Sequence, residues 1–258
     1  MKISRRDARS PTLSKEAART VAVFLCAGLF VGPGVQSAAA GPVARQTYTL
    51  SEFDTVRLEA PLEVVIATGK GVSAYGTGDR DTLDQLDLQI NSRTLVIRLR
   101  NSMMLGGSGG KVRLPTRITL TTGELHRITV QGAGNLTADA LKGPHVTASL
   151  NGSGRLVVAH VDTDRIDTVL IGSGTVTLAG KTLDLMATVS GSGRLDASAL
   201  DAQRVRAETE GSIEARLSAR EEAIATSNGS GELVITGKTK CTVRKTGSAS
   251  VTCGGAVY

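Results

Sequence analysis

Hydrophobic positions in the second half of the chain follow a repeat of 18 to 20 residues. Each unit starts at a glycine, and the fourth and sixth residues after that glycine are small or aliphatic in every unit. Because these two positions are two residues apart, their side chains lie on one face of a β-strand. The starting glycines are Gly132, Gly152, Gly172, Gly191, Gly211, Gly229 and Gly247. The fourth residues are Leu136, Leu156, Val176, Leu195, Ala215, Leu233 and Val251, and the sixth are Ala138, Val158, Leu178, Ala197, Leu217, Ile235 and Cys253.

The repeat predicts a parallel β-solenoid over residues 121–258. Units of this length with short alternating segments are typical of stacked turns, each of which buries its inward side chains against its neighbours. The Gly-Ser-Gly segments mark a corner where the backbone bends sharply, and their serines would stack as a ladder there. A phosphate-binding loop is disfavoured, because no Lys-Ser or Lys-Thr pair follows these segments and no helix is predicted after them.

Residues 41–120 have a different pattern and form a predicted N-terminal module of β-strands. The segments Asn91-Ser92-Arg93 and Gly69-Lys70-Gly71 each predict a hairpin turn. No segment is convincing as an amphipathic helix, so the predicted fold class is all-β. The alternating hydrophobic runs that predict strands are Phe53, Val56 and Leu58; Leu62, Val64 and Ile66; Leu86, Leu88 and Ile90; Leu95, Ile97 and Leu99; and Val112, Leu114, Ile118 and Leu120.

The first 40 residues have the pattern of a secretory signal peptide. Six cations and two anions precede an uncharged apolar run from Val21 to Val31. This run is too short to span a bilayer, which takes about 20 residues. Ala38 and Ala40 occupy the small-residue positions before a cleavage site, so we expect cleavage between Ala40 and Gly41. The mature chain would then be exported to the periplasm or cell surface of a Gram-negative bacterium, with no transmembrane segment.

The net charge of the mature chain is close to zero. The full chain has 30 Lys+Arg and 24 Asp+Glu, and removal of six cations and two anions leaves 24 and 22, a net charge of +2. No run of Lys and Arg with interleaved aromatic residues remains, which argues against a nucleic-acid partner. The spacing of the histidines and cysteines does not fit a zinc site, and we expect no cofactor.

Cys241 and Cys253 are the two cysteines of the mature chain, and we expect them to form a disulfide. An even cysteine count is compatible with a bridge in an oxidising compartment. Their separation of 12 residues is shorter than one 18-residue unit, so the two cysteines do not share a stacked column. The predicted bridge therefore crosses the interior at the end of the solenoid.

Three features of the chain together resemble one known family. They are the early strand pair Phe53-Asp-Thr-Val56 and Val64-Val-Ile66, the stretch from Gly78-Asp79 through Leu88 to Leu95-Val-Ile97, and the serial Gly-Ser-Gly units. Between about Thr47 and Val234 the chain resembles the bacterial head GIN domain family, whose members are described as auto-transporter adhesins. The resemblance implies a secreted, mostly β, right-handed solenoid with no established catalytic activity.

His160 and the acids that follow it are the best candidates for catalytic groups. Carbohydrate-active solenoid enzymes place carboxylates on a sheet face, where paired acids work as general acid and base. Asp162 and Asp164, however, fall where the unit turns, and turns favour aspartate for local hydrogen bonding. Arg165 is also an obvious partner for either acid. The alternatives are therefore a carbohydrate-active enzyme that uses the His160 region and an ordinary solvated turn.

A charged edge is the candidate binding surface. Stacked repeats turn the variable middles of the units into one extended surface, which is how solenoids usually bind partners. We therefore expect an exported, non-enzymatic, adhesin-like binding protein whose ligand is an envelope component, a polysaccharide or a protein. The alternative is that this edge is only the soluble face. The candidate edge comprises Asp139, Lys142, His160, Asp162, Asp164, Arg165, Lys181, Asp201 and Arg204.

Overall fold

The computed structural model describes residues 43–100 and 115–258, which form a parallel β-solenoid of about six turns. The predicted solenoid is therefore confirmed. The elements in chain order are β1 (Ala44–Tyr48), β2 (Thr55–Leu58), β3 (Glu63–Ala67), β4 (Ser73–Gly78), α1 (Arg80–Asp84), β5 (Leu86–Asn91), β6 (Thr94–Leu99), β7 (Arg117–Thr121), β8 (Arg127–Gly132), β9 (Asn135–Gly152), β10 (Arg155–Gly172), β11 (Thr175–Gly191), β12 (Arg194–Gly211), β13 (Glu214–Gly229), β14 (Glu232–Thr236), β15 (Lys240–Gly247), β16 (Ser250–Cys253) and β17 (Ala256–Val257).

One turn of the solenoid has three sides, as strand β10 illustrates. Buried and outward residues alternate along β10, but two consecutive exposed residues interrupt the alternation at 159–160 and again at 164–165. Such a change of phase keeps the next inward side chain in the core only if the chain bends there. The third bend is the Gly-Ser-Gly corner. We call residues 155–158, 161–163 and 166–171 the first, second and third sides, and we use the same names for the other turns.

The inward columns of the first side are buried as the repeat predicts. Leu156 pairs with Leu136 on one neighbouring strand and with Val176 on the other. Every residue of the fourth-position and sixth-position columns is at most 1% exposed. The core is therefore a continuous stack of aliphatic side chains, in a chain of which only 2% of the residues are aromatic.

The glycine corner is sterically closed to larger residues. A Cβ atom on Gly154 would lie 2.0 Å from the carbonyl oxygen of Gly134, and one on Gly152 would lie 2.2 Å from that of Gly132. The same carbonyl of Gly132 accepts a hydrogen bond of 3.0 Å from the backbone N–H of Ser153. Glycine is therefore required for successive turns to approach closely enough to form these bonds.

The N-terminal strands continue the stack of the repeats. Strand β2 pairs in parallel with β6 and β8, and β3 pairs in parallel with β7 and β9. Beyond them the pairing becomes antiparallel: β5 lies against β6, β4 against β7, and β1 against β4. These antiparallel strands cover the outer edges of the first and third sides at this end of the solenoid.

One expectation for this region was wrong. The segment 69–71 does not form a hairpin, because β3 and β4 both pair with β7, which lies between them. A short helix, α1, is present, and the side chain of Asp79 caps it by accepting a hydrogen bond from the backbone N–H of Thr82. The hairpin turn at 91–93 is confirmed, with positive φ angles of 49° at Ser92 and 65° at Arg93. The predicted strand residues Val112 and Leu114 lie outside the described residues.

The disulfide between Cys241 and Cys253 is present, with the two Cα atoms 6.1 Å apart. Cys241 lies on β15, on the third side, and Cys253 lies on β16, on the first side. The bridge therefore spans the interior of the last turn, as expected. Strand β17 folds back antiparallel on β16 beside it.

The predicted cleavage site at Ala40 and Gly41 lies outside the described residues. Within residues 43–100 and 115–258, no helix is long and apolar enough to cross a membrane. Export therefore stays a prediction from the N-terminal sequence pattern.

Candidate functional site

Four residues of the predicted edge lie in one row along the second side. Strand pairing places Lys142 beside Asp162, Asp162 beside Lys181, and Lys181 beside Asp201. Neighbouring strands are about 4.8 Å apart, so identical turns would stack like charges on one another. Here the sign of the charge changes at every turn. We call these four residues the first charged row.

A second charged row lies across the bend, at the start of the third side. Strand pairing aligns its members in order, and from Arg165 onward the sign again changes at every turn. Within a turn the two rows also carry opposite signs, as Asp162 with Arg165 and Lys181 with Asp184 show. We call the two rows together the charged corner. The second charged row is His145, Arg165, Asp184, Arg204, Glu222 and Lys240.

Ion pairs between turns follow from this alternation. Nζ of Lys181 lies 3.3 Å from Oδ1 of Asp162. The guanidinium of Arg204 donates to both carboxylate oxygens of Asp184, at 2.6 and 2.8 Å, which is the bidentate geometry that favours arginine. Each pair joins side chains of adjacent turns that are 19 or 20 residues apart in the sequence (181 − 162 and 204 − 184).

The next pair of the first charged row extends the alternation by one more turn. Arg220, on β13, forms an ion pair with Asp201, on β12. Arg220 therefore continues the sign alternation of the row although its backbone is not aligned in the strand register. The charged corner is thus neutralised largely by its own members.

Asp184 of the second charged row and the nearby Asp167 have pKa values that reflect such contacts. The hydrogen bond from Arg204, together with its positive charge, holds the pKa of the Asp184 carboxyl below its usual value despite partial burial. Burial alone would raise the pKa of Asp167, which is next to the row on β10. Hydrogen bonds from Arg165 and His145 outweigh that effect and lower the pKa of Asp167. These carboxylates are therefore held charged, which suits ion pairing rather than proton donation.

A shallow groove of about 710 Å³ follows the bend between the two rows. Asp162, Lys181 and Asp201 line it with charged groups, and Leu183, which is 40% exposed, adds an apolar contact. Asp164 also lines this groove. The surface therefore offers donors, acceptors and one apolar side chain along several turns.

Asp139, Lys142 and His160 of the predicted edge do not line this groove. Both carboxylate oxygens of Asp139 accept hydrogen bonds of 2.9 Å from the backbone N–H of Thr68, so Asp139 fixes the loop after β3. His160 lines a different depression, with Asp139 and Lys142. The structure therefore does not bring His160 into the groove with Asp162 and Asp164.

The geometry gives the carbohydrate-active alternative little support. The acids from adjacent turns do not converge in the groove, because Lys181 lies between Asp162 and Asp201 and pairs with Asp162. Within the described residues, no group of three or more His, Cys, Asp or Glu side chains is placed to hold a metal ion. The arrangement is suited to polar contact along a surface.

Asp184 is a member of the charged corner that the sequence analysis did not single out. Its signal was available: Arg165, Asp184, Arg204, Glu222 and Lys240 are 19, 20, 18 and 18 residues apart, which is the period of the glycines. Reading charges at the period of the repeat would have revealed the alternation. The ion pairs themselves depend on which side chains of adjacent turns lie close enough to meet, which spacing alone does not give.

Comparisons with known proteins agree with this architecture. A family model described as "Putative auto-transporter adhesin, head GIN domain" matches residues 52–239. The chain belongs to this family. A search of curated proteins finds no relative that matches this head GIN domain protein. The expected resemblance is therefore confirmed over most of the chain.

Solved structures of similar proteins have the same fold. A protein from Bacteroides fragilis NCTC 9343, described as "putative adhesin", is 18% identical with a TM-score of 0.69, covering 83% of this chain and 97% of its own. A protein from Parabacteroides distasonis ATCC 8503, described as "Putative lipid binding protein", is 19% identical with a TM-score of 0.65, at 83% and 97% coverage. A protein from Parabacteroides merdae ATCC 43184, described as "putative adhesin", is 18% identical with a TM-score of 0.62, at 82% and 96% coverage. At these identities the likeness shows the fold alone.

Proposed function

We propose that this head GIN domain protein is an exported, non-enzymatic binding protein of the cell envelope that holds an elongated ligand along its charged corner. One observation carries the proposal: Asp162, Lys181 and Asp201, whose charges alternate in sign, line a groove that crosses several turns. A binding or adhesin role is consistent with the names of the family and of its solved relatives. The signal-peptide pattern and the disulfide support export, because disulfides persist in oxidising compartments.

The charge pattern narrows the class of ligand. The groove is lined by three acids, Asp162, Asp164 and Asp201, and by two cations, Lys181 and Arg220, so its net charge is only −1 and it would attract a polyanion or a polycation weakly over distance. It does offer hydrogen-bond donors and acceptors in turn along the groove. A polymer rich in hydroxyl groups and without strong net charge fits this surface. We therefore propose a neutral or zwitterionic envelope polysaccharide.

Binding to a panel of neutral, zwitterionic and anionic polysaccharides tests the proposal. The variant Lys181→Gln/Asp201→Asn removes one cation and one anion from the groove and leaves the net charge unchanged. The matched control is Arg194→Gln/Glu214→Gln, which removes another ion pair between turns, on the first side. We expect neutral or zwitterionic polymers to bind the native protein and the control, and to bind the groove variant at least about tenfold more weakly.

The opposite pattern would overturn the proposal. Equal affinity of the groove variant and the control would place the ligand elsewhere on the surface. Release of oligosaccharide products by the native protein, lost in Asp162→Ala/Asp164→Ala, would replace binding with catalysis. The first outcome would contradict the groove as the binding site, and the second would contradict a non-enzymatic function.

A further inference from the structure

The last turn of the solenoid has an open strand edge. On the first side, β14 pairs with β16, and β17 pairs antiparallel with the other edge of β16 and covers it. On the third side, β15 pairs with β13, and within the described residues it has no strand partner on its other edge. Along Lys240–Gly247, the backbone N–H and C=O groups that point away from β13 are thus without a strand partner. Such an edge is a template for another extended chain.

The same end of the molecule carries an unbalanced positive charge. Residues 233–258 contain four cations and no anion. Among the described residues, no carboxylate lies within 4.0 Å of the side-chain nitrogens of Lys238, Lys240 or Arg244. Lys245 differs, because its Nζ donates to the carbonyl oxygen of Tyr258 at 2.8 Å. The charge alternation of the corner therefore stops at a cationic turn.

We infer that β15 binds an extended acidic segment of a protein partner, which adds to the solenoid as one further strand. Two independent features point to this occupant. The open backbone edge fits a polypeptide rather than a lipid or a polysaccharide. The second charged row runs from Glu222 to Lys240, so the next position in its alternation is an anion. This inference concerns a surface separate from the charged groove and does not depend on the proposed function.

The register of β15 specifies where the acids of the partner lie. Lys240, Thr242 and Arg244 are exposed and alternate with the half-buried Cys241 and Val243. A strand paired in parallel with β15 would therefore place acids at its first and fifth positions, beside Lys240 and Arg244. Its second and fourth positions would extend the inward column and would be apolar.

A synthetic peptide with this pattern tests the inference. The probe is the capped octapeptide EVTVETTG with a fluorescent label, and its binding to the full chain is measured by anisotropy. Two further peptides carry N-methyl groups on alternate residues, either at odd or at even positions. Because a strand bonds to β15 through one edge only, we expect one N-methylated peptide to lose binding and the other to retain it.

Charge variants of the protein provide the second arm. We expect Lys240→Glu/Arg244→Glu to weaken binding at least about tenfold. The matched control Arg127→Glu/Arg155→Glu changes the net charge equally, at exposed positions on β8 and β10, and should bind like the native protein. Melting temperatures establish that the variants fold. If Lys240→Glu/Arg244→Glu does not fold, Lys240→Gln/Arg244→Gln replaces it, and we expect this variant also to bind the peptide more weakly than the native protein.

Three results would overturn the inference. If both N-methylated peptides bind as well as the unmodified one, the contact is electrostatic only and not strand addition. Unchanged binding by the charge-reversed variant would exclude Lys240 and Arg244. Self-association of the protein, abolished by the same substitutions, would show that the edge is occupied by a second copy.

Discussion

Val176 lies in the middle of the most regular inward column and is fully buried. Its neighbours in the column are Leu156 and Leu195 on the adjacent strands. Val176→Asp would place a carboxylate among aliphatic side chains without a partner, so we expect a loss of about 4 kcal/mol in the free energy of unfolding. Thr177→Asp is the control, because Thr177 points outward on the same strand. Thermal or urea unfolding measures the stability of both variants. A similar loss of stability in the two would contradict the prediction that Val176 points inward and Thr177 outward.

Gly154 tests the close approach of turns at the corner. A Cβ atom there would lie 2.0 Å from a backbone oxygen, which can move only if the adjacent turn moves. We expect Gly154→Ala to lower the free energy of unfolding by about 1–3 kcal/mol. Gly71→Ala serves as the control, because a Cβ atom on Gly71 has no atom within 4 Å. Urea unfolding measures the stability of the two variants. Equal stabilities would mean that successive turns are not in close contact at this corner.

The ion-paired aspartates predict sensitivity to acid. The pKa values of Asp167 and Asp184 are lowered in the folded protein, whereas in the unfolded chain an aspartate titrates at about 3.9. Their contribution to stability is therefore present above about pH 4 and is lost as pH falls through their folded-state pKa values.

Urea unfolding at a series of pH values measures this effect. We expect the native protein to lose stability from pH 5 downward, and Asp184→Asn to be less stable than the native protein at pH 7, with the difference between the two shrinking as pH falls. A constant difference between the two at all pH values would contradict the ion-pair explanation.

At the residue scale, the sequence was sufficient for the core and insufficient for the charged groups. The inward columns could be predicted because burial leaves the same face apolar in every turn, as Leu156, Val176 and Leu195 show. The pairing of Asp184 with Arg204 could not be predicted from residue types alone, since charged side chains tolerate many positions. It became evident only when neighbouring turns were aligned.

At the element scale, the strands that were missed are those whose partners are distant in sequence or that carry weak patterns. Strand β4 is identified by its antiparallel pairing with β7, more than 40 residues later. Strand β1 has few aliphatic residues, and α1 has only five residues, too few for a helical period. Residues 69–71 have the composition of a hairpin turn, but they do not form one because β7 lies between β3 and β4.

The disulfide acts on the last turn as a unit. It joins β15 and β16 across a sequence separation of 12 residues. A disulfide that closes a loop of that size adds about 3 kcal/mol to the free energy of unfolding. Solenoid turns contact mainly their neighbours, so the effect should be local. We expect Cys241→Ser/Cys253→Ser to increase amide hydrogen exchange in β15, β16 and β17 while β9 and β10 keep their protection. Uniform loss of protection along the chain would contradict this local role.

At the scale of the whole molecule, the central claim is that residues one repeat apart become neighbours in a single continuous stack. The charged corner, its groove and the ligand proposed for it all depend on that register. Thr137, Val157, Thr177, Asp196 and Arg216 form a row of paired positions on the outer face of the first side. Val234 continues this row on β14.

Pulsed electron paramagnetic resonance between spin labels in this row is the most direct test. Labels are attached to non-natural amino acids, so that the native disulfide stays intact, and the distance from position 137 is measured to positions 196, 216 and 234. Strand spacing of about 4.8 Å predicts backbone separations of about 14, 19 and 24 Å, rising by one constant step per turn. Distances that do not rise in equal steps would contradict the stack and with it the charged corner.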